Sequence, residues 1–259
     1  MEVVQLTSNP QVDTKALKDC IENDPALTAK ILKVVNSSLF GLSREVKDLN
    51  QALALLGTKP LKLLVLGFSL PEELFAGVAR EQLSWYWKTS LVRAVAAREL
   101  CQKYWNKDGD EAFLVGLLQD IGVLVLLDQL RVPYAQFLSR VLENRTNLGE
   151  MEVQSLGFDH KSLTAALLRR WNLPEVLVQA ISIEQRSLAA IPRGDSAADL
   201  AKVLHLAGLL AELVGQNRLQ ALPELLSAGE TYCGFDKEAL HELLPPLQEK
   251  VEQLADVLS

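Results

Sequence analysis

Residues 111–130, EAFLVGLLQDIGVLVLLDQL, are almost wholly apolar. A segment that is apolar on all sides is typical of a buried helix, so we predict one central helix of a bundle here. Only Gln119 and Asp120 interrupt its middle. A polar pair in so apolar a segment is costly to bury without partners. Gln119 and Asp120 are therefore the first candidates for a functional site.

Helical periodicity continues outward through nearly every other long segment, and no convincing alternating strand is found. In DPALTAKILKVV, Asp24 is a good N-cap and Pro25 suits the first helical position. Asn36 provides a turn after this helix, and Gly57 ends the next one. The sequence therefore predicts an all-α, multi-helix bundle.

Three regions follow along the chain. Residues 1–75 are predicted to be an N-terminal helical subdomain, residues 76–210 the helical bundle, and residues 211–259 a C-terminal helical extension. Pro245-Pro246 should interrupt the last helix. Beyond it a coiled-coil-like apolar seam predicts a homodimer or a fused output domain. The seam consists of Leu247, Val251, Leu254 and Leu258.

The bulk properties exclude several classes of protein. The net charge is -7 and the pI is about 5.1, which argues against nucleic acid as a partner because phosphate binding needs a basic face. Three scattered cysteines have neither disulfide nor metal spacing. The N-terminus lacks a secretory pattern, and polar residues break the apolar runs before membrane-spanning length. We therefore expect a cytoplasmic protein with no membrane contact.

Hydrolases built in helical bundles gather His and Asp from several helices around a metal ion that activates water. A His-Asp pair on a buried helix would suit such a site, but glutamine at position 119 is a poor ligand. His160 follows the helix cap Asp159, so we expect it to be exposed or capping. No glycine-rich phosphate loop or nucleophile elbow is present.

Four motifs, in this order, resemble the HDOD domain, the HD-related output domain of bacterial signalling proteins. They are DPALTAKILKVVNSSLFGL, LNQALALLG, EAFLVGLLQDIGVLVL and LGFDHKSLTAALLRRWNLP. The resemblance runs from about residue 10 to about residue 210, and its most specific part is the first motif. It implies a relationship to the HD metal-dependent phosphohydrolases. It also implies structural roles for the motif positions Asp24, Pro25, Asn36, Gly41, Gly57, Trp171 and Pro174.

The resemblance also locates the ligand positions of an active HD site. The first histidine would fall at Thr89, which faces the bundle interior by its helical spacing from Val92, Ala96 and Leu100. The His-Asp pair would be Gln119-Asp120, the final aspartate would be Gly208, and an HH pair found in many HDOD members would be Glu184-Gln185. Together with His160, we call these residues the vestigial cleft: Thr89, Gln119, Asp120, His160, Glu184, Gln185 and Gly208.

Three of four ligand positions lack a usable side chain, so the resemblance implies a pseudoenzyme with no metal and no cofactor. We expect a non-catalytic signalling module linked to cyclic-di-GMP or two-component pathways. Its partners would be GGDEF, EAL or response-regulator domains, fused or separate. One alternative is a phosphohydrolase with the relocated ligands Asp120, His160 and Glu184. Another is a nucleotide sensor without turnover.

Two interpretations of Asp120 remain open at this stage. Buried polar groups are normally paired, so Asp120 could simply satisfy a neighbour such as Gln119, Thr89 or His160. The carboxylate could instead belong to a cleft that still binds a small anion, a nucleotide or a metal ion.

Overall fold

The computed structural model describes residues 18, 21–37, 40, 42, 44–58, 60–61, 64–65, 80–107, 109–171 and 173–258. These residues form α-helices with short 3-10 and π segments and no strand, which confirms the all-α prediction. The α-helices are α1 (Pro25–Val35), α2 (Leu49–Leu56), α3 (Arg80–Trp105), α4 (Asp110–Leu118), α5 (Ile121–Asn144), α6 (Leu148–Leu156), α7 (His160–Arg170), α8 (Glu175–Ser182), α9 (Ser196–Leu210), α10 (Leu222–Cys233) and α11 (Lys237–Leu258). The 3-10 segments are Gln185–Ala190 and Leu219–Ala221, and the π segment is Ala211–Gly215.

Helix α1 begins as its sequence predicts. The Asp24 carboxylate accepts a hydrogen bond from the Leu27 amide at 3.0 Å, and Pro25 takes the first position. Asn36 ends the helix, and its side-chain amide both donates to the Val46 carbonyl and accepts from the Val46 amide, each at 2.7 Å. These two hydrogen bonds connect the end of α1 to the segment that precedes α2.

Other motif positions also act at helix ends. Gly57 ends α2 with φ +80°, a positive-φ conformation that glycine adopts without strain. Trp171 ends α7 and is buried, and Pro174 immediately precedes α8. Gly41 lies outside the described residues. The motif residues that are described therefore set helix boundaries.

Helix α3 is the centre of the bundle. It packs against α4, α9, α11 and the π segment, and its middle is buried on all sides from Thr89 to Arg98. Thr89 faces the interior, as its spacing from the buried apolar residues of α3 predicts. Because two arginines lie in this buried stretch, α3 brings charge into the core.

The prediction of one central helix over residues 111–130 is wrong. The chain leaves α4 at Gln119 and restarts as α5 at Ile121, with Asp120 at φ -111°, ψ 17° between them. The break has a physical reason, since Asp120 pairs with Arg93 of α3 while the following residues pack against α7. The polar pair thus marks a joint between two helices.

Helix α5 is kinked at Arg131, whose φ is 47° and ψ -124°, and Pro133 follows the kink. Residues 110–144 are long and apolar enough to cross a membrane by composition alone, yet 78% of the apolar window is buried inside the protein. A segment with both a break and a kink, packed in this way, is part of the core of the bundle.

Helix α11 runs through Pro245 and Pro246 without interruption, contrary to the expectation from sequence. Both prolines are exposed, so the carbonyl groups that lose a partner amide lie on the solvent side. On the opposite side, Leu247 and Leu254 of the predicted seam are buried in the core, and α11 packs against α3 and α1. These two leucines are therefore not free to form a coiled coil.

Candidate functional site

The vestigial cleft is centred on the joint between α4 and α5. Asp120 is 6% exposed, and its Oδ2 lies 2.6 Å from Nη1 of Arg93, which is also 6% exposed. Arg93 lies one helical turn after Thr89 on α3. A guanidinium group therefore neutralises the one carboxylate that the HD pattern retains.

His160 lies on the other side of Asp120. Its Nε2 is 3.4 Å from Asp120 Oδ1, and its Nδ1 is 2.6 Å from Oε2 of Glu152 on α6. Glu152 is fully buried and also accepts from the His160 amide at 2.8 Å and from the Tyr134 hydroxyl. We call the five residues Arg93, Asp120, His160, Glu152 and Tyr134 the polar network.

The expectation that His160 is exposed is wrong, since only 5% of the residue is accessible. His160 is the first residue of α7, where a side chain usually reaches solvent. Here the Glu152 carboxylate accepts hydrogen bonds from both the backbone amide and the ring of His160. These two hydrogen bonds hold the imidazole toward the interior. The buried position is stable because both ring nitrogens face carboxylates.

Charge pairing shifts the pKa values of the network. Burial alone would raise the pKa of Asp120, but the charges of Arg93 and His160 hold it well below its usual range. Burial likewise opposes the charged form of His160, yet Asp120 and Glu152 raise its pKa to about 9. At neutral pH the site therefore contains an imidazolium between two carboxylates.

We predict a loss of stability at alkaline pH that depends on His160. A group whose pKa is raised on folding, here from 6.5 to about 9, stabilises the protein fully below the lower value and stops doing so as pH rises through the upper one. The free energies of unfolding of the wild type and of His160→Gln, measured by urea titration from pH 6 to pH 10, should therefore converge over this window. A difference that stays constant across it would contradict a protonated His160.

Gly122 allows α5 and α7 to touch. A Cβ built on Gly122 would lie 2.1 Å from the His160 carbonyl oxygen, and the Gly122 amide donates to Thr164 Oγ1 at 3.0 Å. Glycine is needed here because the backbones approach so closely. This contact fixes the start of α7, and hence His160, against the joint that contains Asp120.

Gly122→Ala should lower the free energy of unfolding by about 2 kcal/mol or more, because the methyl group cannot fit unless α7 moves away. Gly208→Ala is the matched control, since its Cβ would meet nothing within 4 Å and alanine is the better helix former. Urea denaturation of both variants checks this. Equal stability of the two variants would show that the α5–α7 contact is not so close.

The other positions that the resemblance assigns to an HD site lie on α3, at the end of α4 and on α9. Thr89 is fully buried on α3, Gln119 is buried at the end of α4, and Gly208 is half-buried on α9. A Cβ built on Gly215 of the π segment would lie 3.7 Å from the Thr89 Cα, so this segment packs directly on α3 there. Neither the hydroxyl of Thr89 nor the bare backbone of Gly208 offers a strong metal ligand.

Glu184 and Gln185 do not join the buried cleft residues. Both are exposed: Glu184 lies in the turn after α8, and Gln185 is the first residue of the following 3-10 segment. The Glu184 carboxylate accepts a hydrogen bond from Arg186 Nε at 2.6 Å. The chain turns outward after Ser182, so these side chains point away from the core. The set of relocated ligands Asp120, His160 and Glu184 therefore lacks its third member.

The residues present do not fit a catalytic metal ion. Within the described ranges, no group of three or more His, Cys, Asp or Glu side chains could hold one. Asp120 is engaged by a guanidinium, and a protonated His160 has no lone pair to donate. The positive charge of Arg93 already lies beside the carboxylate that the resemblance assigns to a metal site.

Sequence reasoning missed Arg93, Glu152 and Tyr134. Arg93 had a usable signal, since it lies one turn after Thr89 on the helical face that was predicted to be buried, where an arginine needs a partner. Glu152 and Tyr134 carried no such signal. Tyr134 lies beyond the kink of α5, and Glu152 lies on a helix with many polar residues.

The fold and the site define a class: all-α helical bundles with a buried, ion-paired polar cluster at a joint between two core helices. The family model of the HDOD domain matches residues 1–187, and the chain belongs to this family. The search of curated proteins found no significant match.

Solved structures agree with the fold. An HDOD domain protein of unknown function from Geobacter sulfurreducens is similar with a TM-score of 0.74 and 20% identity, over 99% of this chain and 91% of that one. A protein of Shewanella amazonensis, provisionally described as a phosphohydrolase, has a TM-score of 0.71 and 22% sequence identity, over 100% of this chain and 92% of that one. The MmoQ response regulator of Methylococcus capsulatus has a TM-score of 0.50 and 27% sequence identity, over 93% of each chain.

Proposed function

We propose that this HDOD protein is a non-catalytic signal-transduction module of the bacterial cytoplasm that acts by binding other proteins. Its partners would be response-regulator, GGDEF or EAL domains, in two-component or cyclic-di-GMP signalling. The similarity to MmoQ, which is described as a response regulator, supports the two-component connection. The chain's own role would be to change its contacts when a partner changes state.

One observation carries the non-catalytic part of the proposal. The Arg93 guanidinium lies 2.6 Å from Asp120 at the place where a hydrolase of this fold would need a cation bound by anionic ligands. A hydrolytic metal ion would have to displace Arg93 and deprotonate His160. Both changes oppose binding.

A hydrolysis assay tests this part. We expect the wild type and Asp120→Asn to show the same background rate on cyclic di-GMP and on a generic phosphodiester, with and without added Mn²⁺. Asn is chosen because it keeps the size of Asp120. Metal-stimulated hydrolysis that Asp120→Asn abolishes would instead support the phosphohydrolase alternative.

A binding assay tests the interaction part. The purified chain would be mixed with the receiver, GGDEF and EAL domain proteins encoded in the same genome, and complexes would be measured by analytical ultracentrifugation. The proposal expects a stoichiometric complex with at least one of them, or with a second copy of the chain. A monomer that binds none of these proteins would overturn it.

A further inference from the structure

A second buried histidine, His205 of α9, contacts a helix of the C-terminal extension. His205 is 7% exposed, its Nδ1 lies 3.0 Å from the hydroxyl of Tyr232, and its Nε2 lies 3.3 Å from Oε1 of Glu224. Tyr232 and Glu224 both belong to α10, which packs against α9. The imidazole therefore connects these two helices through both of its ring nitrogens.

The two partners decide which ring nitrogen of His205 carries the hydrogen at neutral pH. A carboxylate such as Glu224 can only accept, so Nε2 must donate to it. The bare Nδ1 of a neutral ring then accepts from the Tyr232 hydroxyl, which keeps its hydrogen because burial raises the pKa of Tyr232. Neutral His205 thus satisfies both partners with one donor and one acceptor.

Protonation of His205 would break this arrangement. Nδ1 would gain a hydrogen and could no longer accept from Tyr232. The Tyr232 hydroxyl belongs to a residue that is only 6% exposed, so it would lose its acceptor inside the protein. A buried donor without an acceptor is costly, and the two helices would have to separate or rearrange to relieve it.

The surroundings of His205 favour the neutral ring. Burial, above all, lowers the pKa of His205 below its usual value of 6.5, and the charge of Lys161 on α7 acts in the same direction. Glu224 opposes both, but its side chain is 60% exposed, so solvent screens its charge. Lys202, 3% exposed and on the same helix as His205, places a further positive charge 5.9 Å from the centroid of the Tyr232 ring.

The end of α10 is packed against other parts of the protein. A Cβ on Gly229 of α10 would lie 2.8 Å from Cδ1 of Phe235, so the turn that precedes α11 is packed tightly on α10. Phe235 also meets Tyr104 of α3 edge to face, with ring centroids 5.7 Å apart. The α9–α10 contact is therefore connected to α3 and to the start of α11 by direct packing.

We propose that His205, Tyr232 and Glu224 form an acid-sensitive latch, which holds α10 on α9 while the imidazole is neutral and loosens this contact when the imidazole is protonated. His205 then stabilises the contact fully above pH 6.5, and this effect is lost as pH falls from 6.5 through the lower pKa of the folded protein. The latch lies outside residues 1–187, which the HDOD family model matches, and it does not depend on the proposed signalling function.

Nitrogen NMR of the wild-type protein tests the state of the imidazole. The chain contains three histidines, His160, His205 and His241, and the signals of His205 are those that are missing from His205→Gln. At pH 7.5 we expect a neutral His205 with its hydrogen on Nε2, and protonation only below pH 6.5. A hydrogen on Nδ1 at pH 7.5, or a titration at or above pH 6.5, would overturn the proposal.

Hydrogen exchange then tests the latch itself. The protection factors of the α10 amides, compared with those of the buried helix α4, should fall in the wild type between pH 7.5 and pH 5.0. The fall should reach up to about tenfold for each unit by which folding lowers the pKa of His205. His160 does not interfere, because its pKa of about 9 keeps it protonated throughout this range.

Two variants make the exchange experiment decisive. His205→Gln keeps one neutral donor and one acceptor, so the protection of its α10 amides should lose this dependence on pH. His241→Gln is the matched control, since it removes an exposed histidine on α11 and should respond as the wild type does. No change of α10 protection in the wild type, or an equal change in the wild type and His205→Gln, would overturn the latch.

Discussion

Replacing Asp120 with alanine should lower the free energy of unfolding by about 3–5 kcal/mol, as is typical when one partner of a buried ion pair is removed. Arg93, 6% exposed, would keep its charge in the core with no carboxylate to balance it, and His160 would lose the carboxylate at its Nε2. Urea denaturation followed by circular dichroism measures the loss. Glu242→Ala is the matched control, because its ion pair with Lys103 is exposed and should contribute little.

A double-mutant cycle separates the pairing from the simple loss of a side chain. If Arg93 is costly only because Asp120 is missing, then Arg93→Met combined with Asp120→Ala should be more stable than the two single effects predict when added. Additive effects would mean that the pair in the core is not coupled. The free energy of unfolding at acid pH gives an independent check. Because the pKa of Asp120 is lowered on folding, its carboxylate stabilises the protein above the pKa of the unfolded chain, and this stabilisation is lost as pH falls toward the folded pKa.

Replacing Glu152 with alanine should have an effect of similar size. This fully buried carboxylate accepts from the Tyr134 hydroxyl, the His160 amide and His160 Nδ1, and all three donors would lose their partner together. Leaving a protonated imidazole without its acceptor adds an uncompensated charge. We expect a loss of about 3–5 kcal/mol in the free energy of unfolding.

A loss of this size approaches the whole stability of a modest domain, so a milder variant keeps the test interpretable. Glu152→Gln retains the size of the side chain and one acceptor oxygen, but turns an amide N–H₂ toward donors. It should fold and be destabilised less than Glu152→Ala. The matched control is Glu150→Gln on the same helix, where the side chain is exposed. Glu152 and Glu150 variants of equal stability would contradict a structural role for the network.

Much of the fold was predictable from local chemistry. Asp24, Pro25 and Gly57 act at helix ends as their residue types suggest, because caps depend on a few neighbouring atoms. The break at Gln119-Asp120 was not predictable from periodicity, since helical pattern continues on both sides of it. It depends on Arg93, some 27 positions earlier in the chain, and on the close approach of α7 to Gly122.

The candidate site was predictable only in part. The resemblance pointed to Thr89 on α3, to Gln119 and Asp120 at the joint between α4 and α5, and to Gly208 on α9. It did not identify the groups that replace the metal chemistry, because Arg93 and Glu152 become partners only through tertiary packing. The inference that Glu184 and Gln185 belong to the cleft failed for the same reason, as the chain turns outward after α8. Cysteine placement, composition and charge gave no information on these contacts.

Elemental analysis of the chain, purified without added metal and then incubated with Mn²⁺ and desalted, tests the central claim most directly. The Arg93–Asp120 ion pair and a protonated His160 predict that transition metal stays far below one ion per chain. Asp120→Asn should give the same low value. One tightly bound metal ion per chain in the wild type, lost in Asp120→Asn, would contradict the account.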